Sequence, residues 1–521
     1  MTTTPTGRLY GQLNPWTDDD LGRIHRTSLQ ILERIGVQVQ HDDVLEILEA
    51  TDAKVDRDRR VVRFPADMVE DRMRNAPGSW DRVKKGISPI SRDQPSMDAF
   101  FPGVGQKLDL SPFSRFSVSV DSGGEKIWDY RTRRPRSSTP RDLVDVPRLV
   151  QAMENIDEAG NLVRFAAIPP NVEDLVLYRH MWNHTEKTGG GGLGRCPACV
   201  FGLSSRTVDY LCQMLKIKVG GDPSERDPEL SFFMGVASPL RFGHDVLDMA
   251  LYMLRLGQAV GIGGNCVSGI QAPITPASDI AVDHAERLAG LCIVTSIRSD
   301  ARFYFCNHAY SLDMQGGDVA HGSPEMTLQA LLGQKLLNYC GFQLVVNHPI
   351  LDTSAHTPDA QAAAEKMMYM LLTALGGAKG IGGAGGLKEY LCYEQIVIDN
   401  EIAGYVRQLL KGAVVNDETL ALGEIEQHGI GGNFLTSETT MKFLRECYYA
   451  PRLFYRKRVS EWLGDGGKDT LERAHEKVES ILARETPRFL TDDQLGAIDE
   501  IIRRACRELA PDWDPNPLLD L

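Results

Sequence analysis

From about Thr139 the chain repeats one rhythm, and that rhythm limits what it can fold into. Apolar or glycine-rich runs recur at Gly189–Gly194, Leu230–Val236, Ala259–Val267, Arg302–Asn307, Phe342–Asn347 and Lys379–Gly385, with helical segments between them. The repeat is roughly 30–45 residues, the length of one strand-plus-helix unit of a TIM barrel. The helices carry start signals. Ser278-Asp279 precedes the stripe Val282, Ala285, Leu288, Ala289, Cys292, and Ser323-Pro324-Glu325 places a capping serine and a first-turn proline before Leu328, Leu331, Leu332 and Leu336. Pro358-Asp359 opens a helix whose Met367, Met368, Leu371, Leu372 and Leu375 belong to the core. The expectation is therefore an α/β fold: a TIM (β/α)8 barrel over residues 140–435, after an N-terminal α/β cap (1–139) and before a C-terminal helical segment (436–521). The eighth strand is the faintest, with Gly431–Leu435 its candidate. An open doubly wound sheet is the alternative. Gly380, Gly382 and Gly385 fit the G-x-G-x-x-G spacing, but late in the chain, and Asp399 and Glu401 fall on a helix rather than at a strand end.

The cap reads clearly. Thr17 fits an N-cap, Asp18 to Asp20 suit the positive end of a helix dipole, and Gly36 fits the position just past the helix end. A short helix over His41–Ala50, a strand over Arg60–Pro65 and a helix over Asp67–Arg74 follow, and Phe100 to Tyr130 alternates as strands do. Beyond Glu438 the chain is helical and charged, with helices over Asp469–Arg484 and Asp492–Leu509.

A net charge of −14 argues against a nucleic-acid partner. The ten cysteines are scattered, several of them (Cys266, Cys292, Cys306, Cys340) in apolar runs, as buried thiols in a reducing cytoplasm are, and Cys196-Pro197-Ala198-Cys199 reads as loop packing. The N-terminus has no signal-peptide pattern and no run is apolar for the ~20 residues a membrane span needs, so a cytoplasmic protein is expected.

Chemistry is expected where barrel strands end. Two runs end in the same pair, Asn307-His308 and Asn347-His348, in a chain of twelve histidines, and Tyr310, Asp352, Ser354 and His356 follow them. His348, Asn307 and Asp352 are the catalytic candidates. His308, Asn347, Ser354 and His356 are candidates for substrate binding, together with Phe233, Phe305 and Tyr310, whose rings suit a quaternary ammonium. A zinc set of His348, His356 and Asp352 is a further possibility of the same residues. The glycines of Gly380–Gly386 mark close approach by another group, either tight packing or a large flat ligand, for which Gly382, Gly383 and Gly385 are the candidate contacts.

Several segments, in this order, resemble the trimethylamine methyltransferase family: Ile31–Val37, Val61–Pro65, Ser138–Leu143, Ala237–Leu240, Gly269–Thr275, Ala285–Gly290, Gly322–Glu325 and Glu394–Glu401. The resemblance implies a TIM barrel that moves a methyl group from a methylated amine to cob(I)alamin on a separate corrinoid protein, and a homo-oligomer. The trimethylamine enzyme carries pyrrolysine near the loop corresponding to Pro349–His356, where this sequence has standard residues. That resembles the branch acting on quaternary amines such as glycine betaine. The chain departs from the family wording at Ser354-Ala355-His356, Asn433 and Thr439-Thr440. A quaternary-amine-binding barrel without methyl transfer is the non-enzymatic alternative.

Overall fold

The computed structural model describes residues 9, 11–76, 116–120, 124–160, 162–187, 198–200, 202, 204–220, 230–307, 309–342, 347–485 and 487–521. The N-terminal layer comprises α1 (Asp18–Arg34), β1 (Val37–Val39), α2 (Asp42–Glu49), β2 (Lys54–Asp56), β3 (Val61–Arg63) and α3 (Ala66–Asn75). Helix α1 starts where the sequence says it should: the Thr17 hydroxyl accepts from the Asp20 amide at 3.2 Å and the Asp20 carboxylate accepts from the Thr17 amide at 3.0 Å. It ends at Gly36, whose φ of +80° a side chain would strain.

The body follows as β4 (Ser117–Val120), β5 (Lys126–Asp129), β6 (Arg134–Ser137), α4 (Asp142–Ala152), β7 (Glu158–Ala159), α5 (Pro170–His184), β8 (Ala198–Val200) and α6 (Ser205–Val219). Then come β9 (Leu230–Val236), β10 (Arg241–Phe242), α7 (His244–Arg255), β11 (Ala259–Gly264), β12 (Val267–Ser268), α8 (Pro276–Ile297), β13 (Phe303–Asn307) and β14 (Tyr310–Ser311). The last set is α9 (Pro324–Tyr339), β15 (Asn347–Pro349), α10 (Ala360–Gly376), β16 (Gly380–Ile381), β17 (Leu391–Cys392) and α11 (Tyr393–Leu410). Seven C-terminal helices end the chain: α12 (Asp417–Leu420), α13 (Leu422–His428), α14 (Glu438–Cys447), α15 (Val459–Gly464), α16 (Thr470–Leu482), α17 (Asp492–Leu509) and α18 (Asn516–Leu519).

The fold is mixed α/β, built on parallel pairing between strands that the helices connect. Strands β8, β9, β11, β13 and β15 form one parallel sheet in chain order. A parallel bridge from Ile350 to Gly382 carries the pairing on towards β16. Strand β16 pairs in parallel with β4, and β4 with β7. Beyond β7, the Ala159 amide donates to the Lys187 carbonyl at 2.5 Å, in the stretch leading to β8. The last strand of the series thus lies beside the first.

Three expectations need correction. The parallel set begins at Ser117, ahead of residue 140, because the alternating segment before Tyr130 supplies the strand that β16 requires. Gly431–Leu435 forms no strand; it is an exposed loop whose glycine at 431 has φ +77°. Helix α8 also starts a turn before Ser278-Asp279, with Thr275 as its cap and Pro276 in the first turn. Cys196 and the side chain of Cys199 lie outside the described residues, as does much of the expected strand Phe342–Asn347. Among the described residues no helix is long and apolar enough to cross a membrane.

The outer faces of the strands and the inner faces of the helices form the main core, with Val260, Ile262, Phe303, Phe305, Leu288 and Leu291 among its fully or nearly fully buried residues. Charged pairs are buried among these elements, and one of them bears on the strand ends. Lys366 of α10 and Asp399 of α11 are both 0% exposed and 2.9 Å apart. Lys366 also donates to the carbonyls of Leu351 and Gly383 at 3.1 Å, while Asp399 accepts from the Gly385 amide at 2.7 Å and from Gln395 at 2.8 Å. Each charge is therefore compensated by its partner and by backbone dipoles. Lys366→Met or Asp399→Asn, which strands the other partner, is expected to cost about 3–5 kcal/mol in urea unfolding. The double variant Lys366→Met/Asp399→Leu is expected to lose less than the sum of the single changes.

Candidate active site

Segments that follow the C-terminal ends of four parallel strands surround a cleft of about 520 Å³. Gly124–Lys126 follow β4, Tyr310 follows β13, Ile350 and Asp352 follow β15, and Gly386–Tyr390 follow β16. Parallel strands all end on one side, so their loops collect there and the helices do not cover it.

Asp352 is the hub. The Tyr310 hydroxyl is hydrogen-bonded to its carboxylate, Nδ1 of His321 lies 3.2 Å from its Oδ2, and the Tyr310 and His321 rings meet edge to face at 5.4 Å. Burial, then the negative charge of Asp352, pushes the Tyr310 phenol well above its ordinary range, so it remains a neutral donor. The buried phenol of Tyr369 on α10 is pushed up by the same two causes. The Lys366–Asp399 pair fixes this hub from behind, because it holds the carbonyl of Leu351, one residue before Asp352.

A second arc joins the hub to the rim. The Ser354 hydroxyl donates to the His321 carbonyl at 3.0 Å, and its amide donates to Glu365 at 3.0 Å. The Tyr390 hydroxyl donates to the His356 carbonyl at 2.8 Å and lies 3.2 Å from His356 Nδ1. Lys388 pairs with Asp318 at 2.6 Å. Four of the expected residues, Tyr310, Asp352, Ser354 and His356, thus fall in one loop cluster. His308 and the side chains of Asn307, Asn347 and His348 lie outside the described residues; in the backbone ladder Phe305 stands opposite Asn347, Cys306 opposite His348 and Asn307 opposite Pro349.

The aromatic expectations divide by strand parity. A Cβ on Gly290 of α8 would meet Ile262 at 2.3 Å, so Ile262 points out towards the helices. Its register partner Phe305 shares that face: it is 0% exposed and packs edge to face against Phe303 and Phe342 at 5.4 and 5.3 Å. Phe305 is therefore core and has no face to offer a ligand, which corrects its expected role. The alternate positions point inward. Gly261 pairs with both Phe233 and Tyr304, and a Cβ on it would strike the Tyr304 ring at 2.3–2.6 Å. Phe233 and Tyr304 thus flank a glycine on the inner face, with Phe233 half-buried and its ring against Gly235.

The glycine run Gly380–Gly386 is likewise accounted for by the chain itself. Gly383 and Gly385 have φ of +81° and +80°, and a Cβ on them would meet Ile350 at 2.9 Å and Ile396 at 2.4 Å respectively. Gly382 is buried, its amide bonded to Pro349 and its carbonyl to Leu351. The close approach inferred from the sequence is tight packing, so Gly382, Gly383 and Gly385 have no surface for a corrinoid.

Helix α8 places three buried acids nearby, Asp279, Asp283 and Glu286. Glu286 accepts from the Ser238 hydroxyl at 2.8 Å and the Leu240 amide at 2.7 Å, a position open because residue 264 is glycine. Asp279 accepts from Gln329 at 3.0 Å. Burial, then the charge of Asp283, raises Asp279 to about 8, and burial raises Glu286 to about 7. Nothing in the sequence marks these as paired acids; they sit in a helix that reads as an ordinary amphipathic one. Also missed were His321, Tyr390 and Tyr304, of which Tyr304 had a usable signal in the glycine alternation of the strand beside it.

Two outcomes follow. Gly261→Val should displace the Tyr304 ring and cost about 1–3 kcal/mol in thermal unfolding, whereas Gly220→Ala, with open space around it, should act only through its positive φ. For Asp279 the folded value near 8 exceeds the ordinary 3.8, so its contribution is complete below about pH 4 and is lost as pH rises through about 8. Asp279→Asn cannot ionise. Its stability relative to the parent should therefore rise by about one to a few kcal/mol between pH 5 and pH 8, read from urea unfolding at each pH.

Comparison with known proteins bears on what this cleft does. The model of the family described as trimethylamine methyltransferase (MTTB) matches residues 3–86 and 114–510. The trimethylamine methyltransferase MttB of Methanosarcina barkeri is 28% identical over 501 residues, covering 95% of each chain. The glycine betaine methyltransferase of Desulfitobacterium hafniense is 26% identical over 512 residues, covering 96% of this chain and 99% of that protein. Among solved structures, the Methanosarcina barkeri monomethylamine methyltransferase (MtmB) aligns over 95% of this chain and 94% of its own at 13% identity, with a TM-score of 0.42.

Proposed function

This chain belongs to the trimethylamine methyltransferase (MTTB) family and is a methyltransferase, and we propose that it takes the methyl group of a quaternary amine of the betaine type and passes it to the corrinoid of a partner protein. The ring-like run of parallel strands, with β16 beside β4, supports reading the fold as a TIM (β/α)8 barrel, with the cap ending near residue 116 rather than 139.

The single observation that carries the substrate reading is the pairing of a carboxylate with aromatic rings at the strand ends: Asp352 beside Tyr310 and His321, in a cleft that Tyr390 also lines. A fixed ammonium is attracted both by a carboxylate and by ring faces, and the cleft is roomy enough for a small methylated amine. Asp352 holds the cationic nitrogen. The Tyr310 hydroxyl fixes the carboxylate's orientation by donating to it, and Lys126 at the rim attracts the donor's own carboxylate. The corrinoid supplies the nucleophile that accepts the methyl group. Because Gly382, Gly383 and Gly385 are packed away, its contacts fall to the open rim at Glu125–Lys126 and Lys388–Tyr390. A quaternary nitrogen departs as a neutral amine, so the chain needs no proton donor; its task is to hold the donor in line and exclude water.

The C-terminal stretch supports a homo-oligomer. Leu420, Leu422, Ile425, Ile430, Leu435 and Met441 are all exposed on one length of chain, apolar side chains that a second copy would take out of water.

The assay is a panel of quaternary and tertiary amines incubated with the protein and cob(I)alamin, followed by the absorbance change as the corrinoid is methylated. Turnover is expected with a quaternary amine carrying a carboxylate. Asp352→Asn and His348→Ala should each lower kcat/KM at least about tenfold, a loss near 1.4 kcal/mol or more. Tight binding across the panel without any methylation would favour a quaternary-amine-binding protein instead.

A further inference from the structure

A second chemical cluster lies apart from the cleft, where α1 meets α8 and α9. His25 of α1, His284 of α8 and Cys340 at the end of α9 converge on one point. Nδ1 of His25 is 3.1 Å from Nε2 of His284, and the Cys340 sulfur is 3.6 Å from each of those nitrogens. His284 is 1% exposed, and His25 and Cys340 are half-buried. The neighbours on α1 let the helices close around the point. Gly22 sits against the Tyr339 hydroxyl, where a Cβ would come within 2.9 Å, and the Ser28 hydroxyl donates to the Ala281 carbonyl at 2.8 Å. Gly22, His25 and Ser28 recur every three residues, so they share one face of α1.

From this geometry we propose that His25, His284 and Cys340 form a structural binding site for a zinc-class cation that fastens the N-terminal helix to the body of the fold. Zinc bound tetrahedrally at ~2.0–2.1 Å from nitrogen and ~2.3 Å from sulfur sets its ligands about 3.3 Å apart for an N···N edge and about 3.6 Å for an N···S edge. The observed 3.1, 3.6 and 3.6 Å match that triangle. Two imidazoles and a thiolate are the donors such a borderline cation selects over magnesium or calcium. Among the described residues this is the one group of three or more His, Cys, Asp or Glu side chains with ligand atoms close enough to share an ion. Hydrogen bonding alone has fewer protons to offer than the three contacts ask for, whereas a cation engages all three donors at once.

The state of the side chains suits this role. Burial holds both imidazoles below their ordinary range, so each keeps a neutral ring with a lone pair. Cys340 loses its S–H proton to solvent when the cation binds, as thiol ligands do. Glu70 of α3 adds a negative charge that acts on both His25 and Cys340. The site is independent of the methyl-transfer reading, and its test does not measure activity.

The full-length protein is expressed with zinc, desalted and assayed for metal content. About one zinc per chain is expected, falling at least fivefold in Cys340→Ser and in His25→Asn. The zinc-free protein is then titrated with Co2+. A thiolate-to-cobalt charge-transfer band in the near ultraviolet, together with visible bands of a tetrahedral ion, is expected in the parent and absent in Cys340→Ser. A chelator should lower the Tm of the parent and leave that of His25→Asn unchanged. Absence of the charge-transfer band in the parent, or its persistence in Cys340→Ser, overturns the proposal even if a variant fails to fold, since the parent titration stands alone.

Discussion

The buried contact between Lys366 and Asp399 is the interaction on which the active end of this molecule depends. Two charges with no exposed surface are tolerable only because each is matched by the other and by backbone groups. Those backbone groups are not arbitrary. Lys366 takes the carbonyls of Leu351 and Gly383, and Asp399 takes the Gly385 amide, so one pair fastens the loop after β15 to the turn after β16. Asp352 is the next residue along from the first of these carbonyls. A side chain that must meet a ligand in a fixed orientation is thereby carried on backbone that cannot drift.

The same loops explain why the glycines cluster where they do. Gly383 and Gly385 adopt left-handed backbone beside Ile350 and Ile396, and this close fit brings α11 near enough for Asp399 to reach in. A larger residue at either position would push apart the elements the ion pair holds together. The inner face of the neighbouring sheet uses the opposite device. There Gly261 yields its space to Tyr304, so that glycine on one strand becomes an aromatic ring presented by the next.

Much of this was readable from residue order. The Thr17, Ser323 and Asp359 caps and the C-terminal helices rest on local chemistry, and the structure has them at the expected places, as it has strands in the runs Leu230–Val236, Ala259–Val267 and Arg302–Asn307; the expected run Gly189–Gly194 lies outside the described residues. Local chemistry could not tell which segment pairs with β16. Ser117–Val120 precedes it by more than two hundred and fifty residues, and no local signal joins them. Parity was the other limit. Phe303, Tyr304 and Phe305 are equivalent as a string, but only the register with Gly261 and the contact of Ile262 with α8 reveals which ring faces inward. Asp352 was legible because it follows a strand end; its partner His321 comes from a different loop and was not. The triangle of His25, His284 and Cys340 was invisible for the same reason, being drawn from helices far apart in the chain.

The central claim is that Asp352 and the rings near it receive the cationic nitrogen of a methylated amine. A crystal structure of the protein soaked with glycine betaine tests it directly. The account predicts density for the donor in the cleft, its nitrogen within about 6 Å of the Tyr310 or Tyr390 ring centroid and beside the Asp352 carboxylate. A donor seated elsewhere, with the Asp352–Tyr310–His321 cluster facing only solvent, would contradict it.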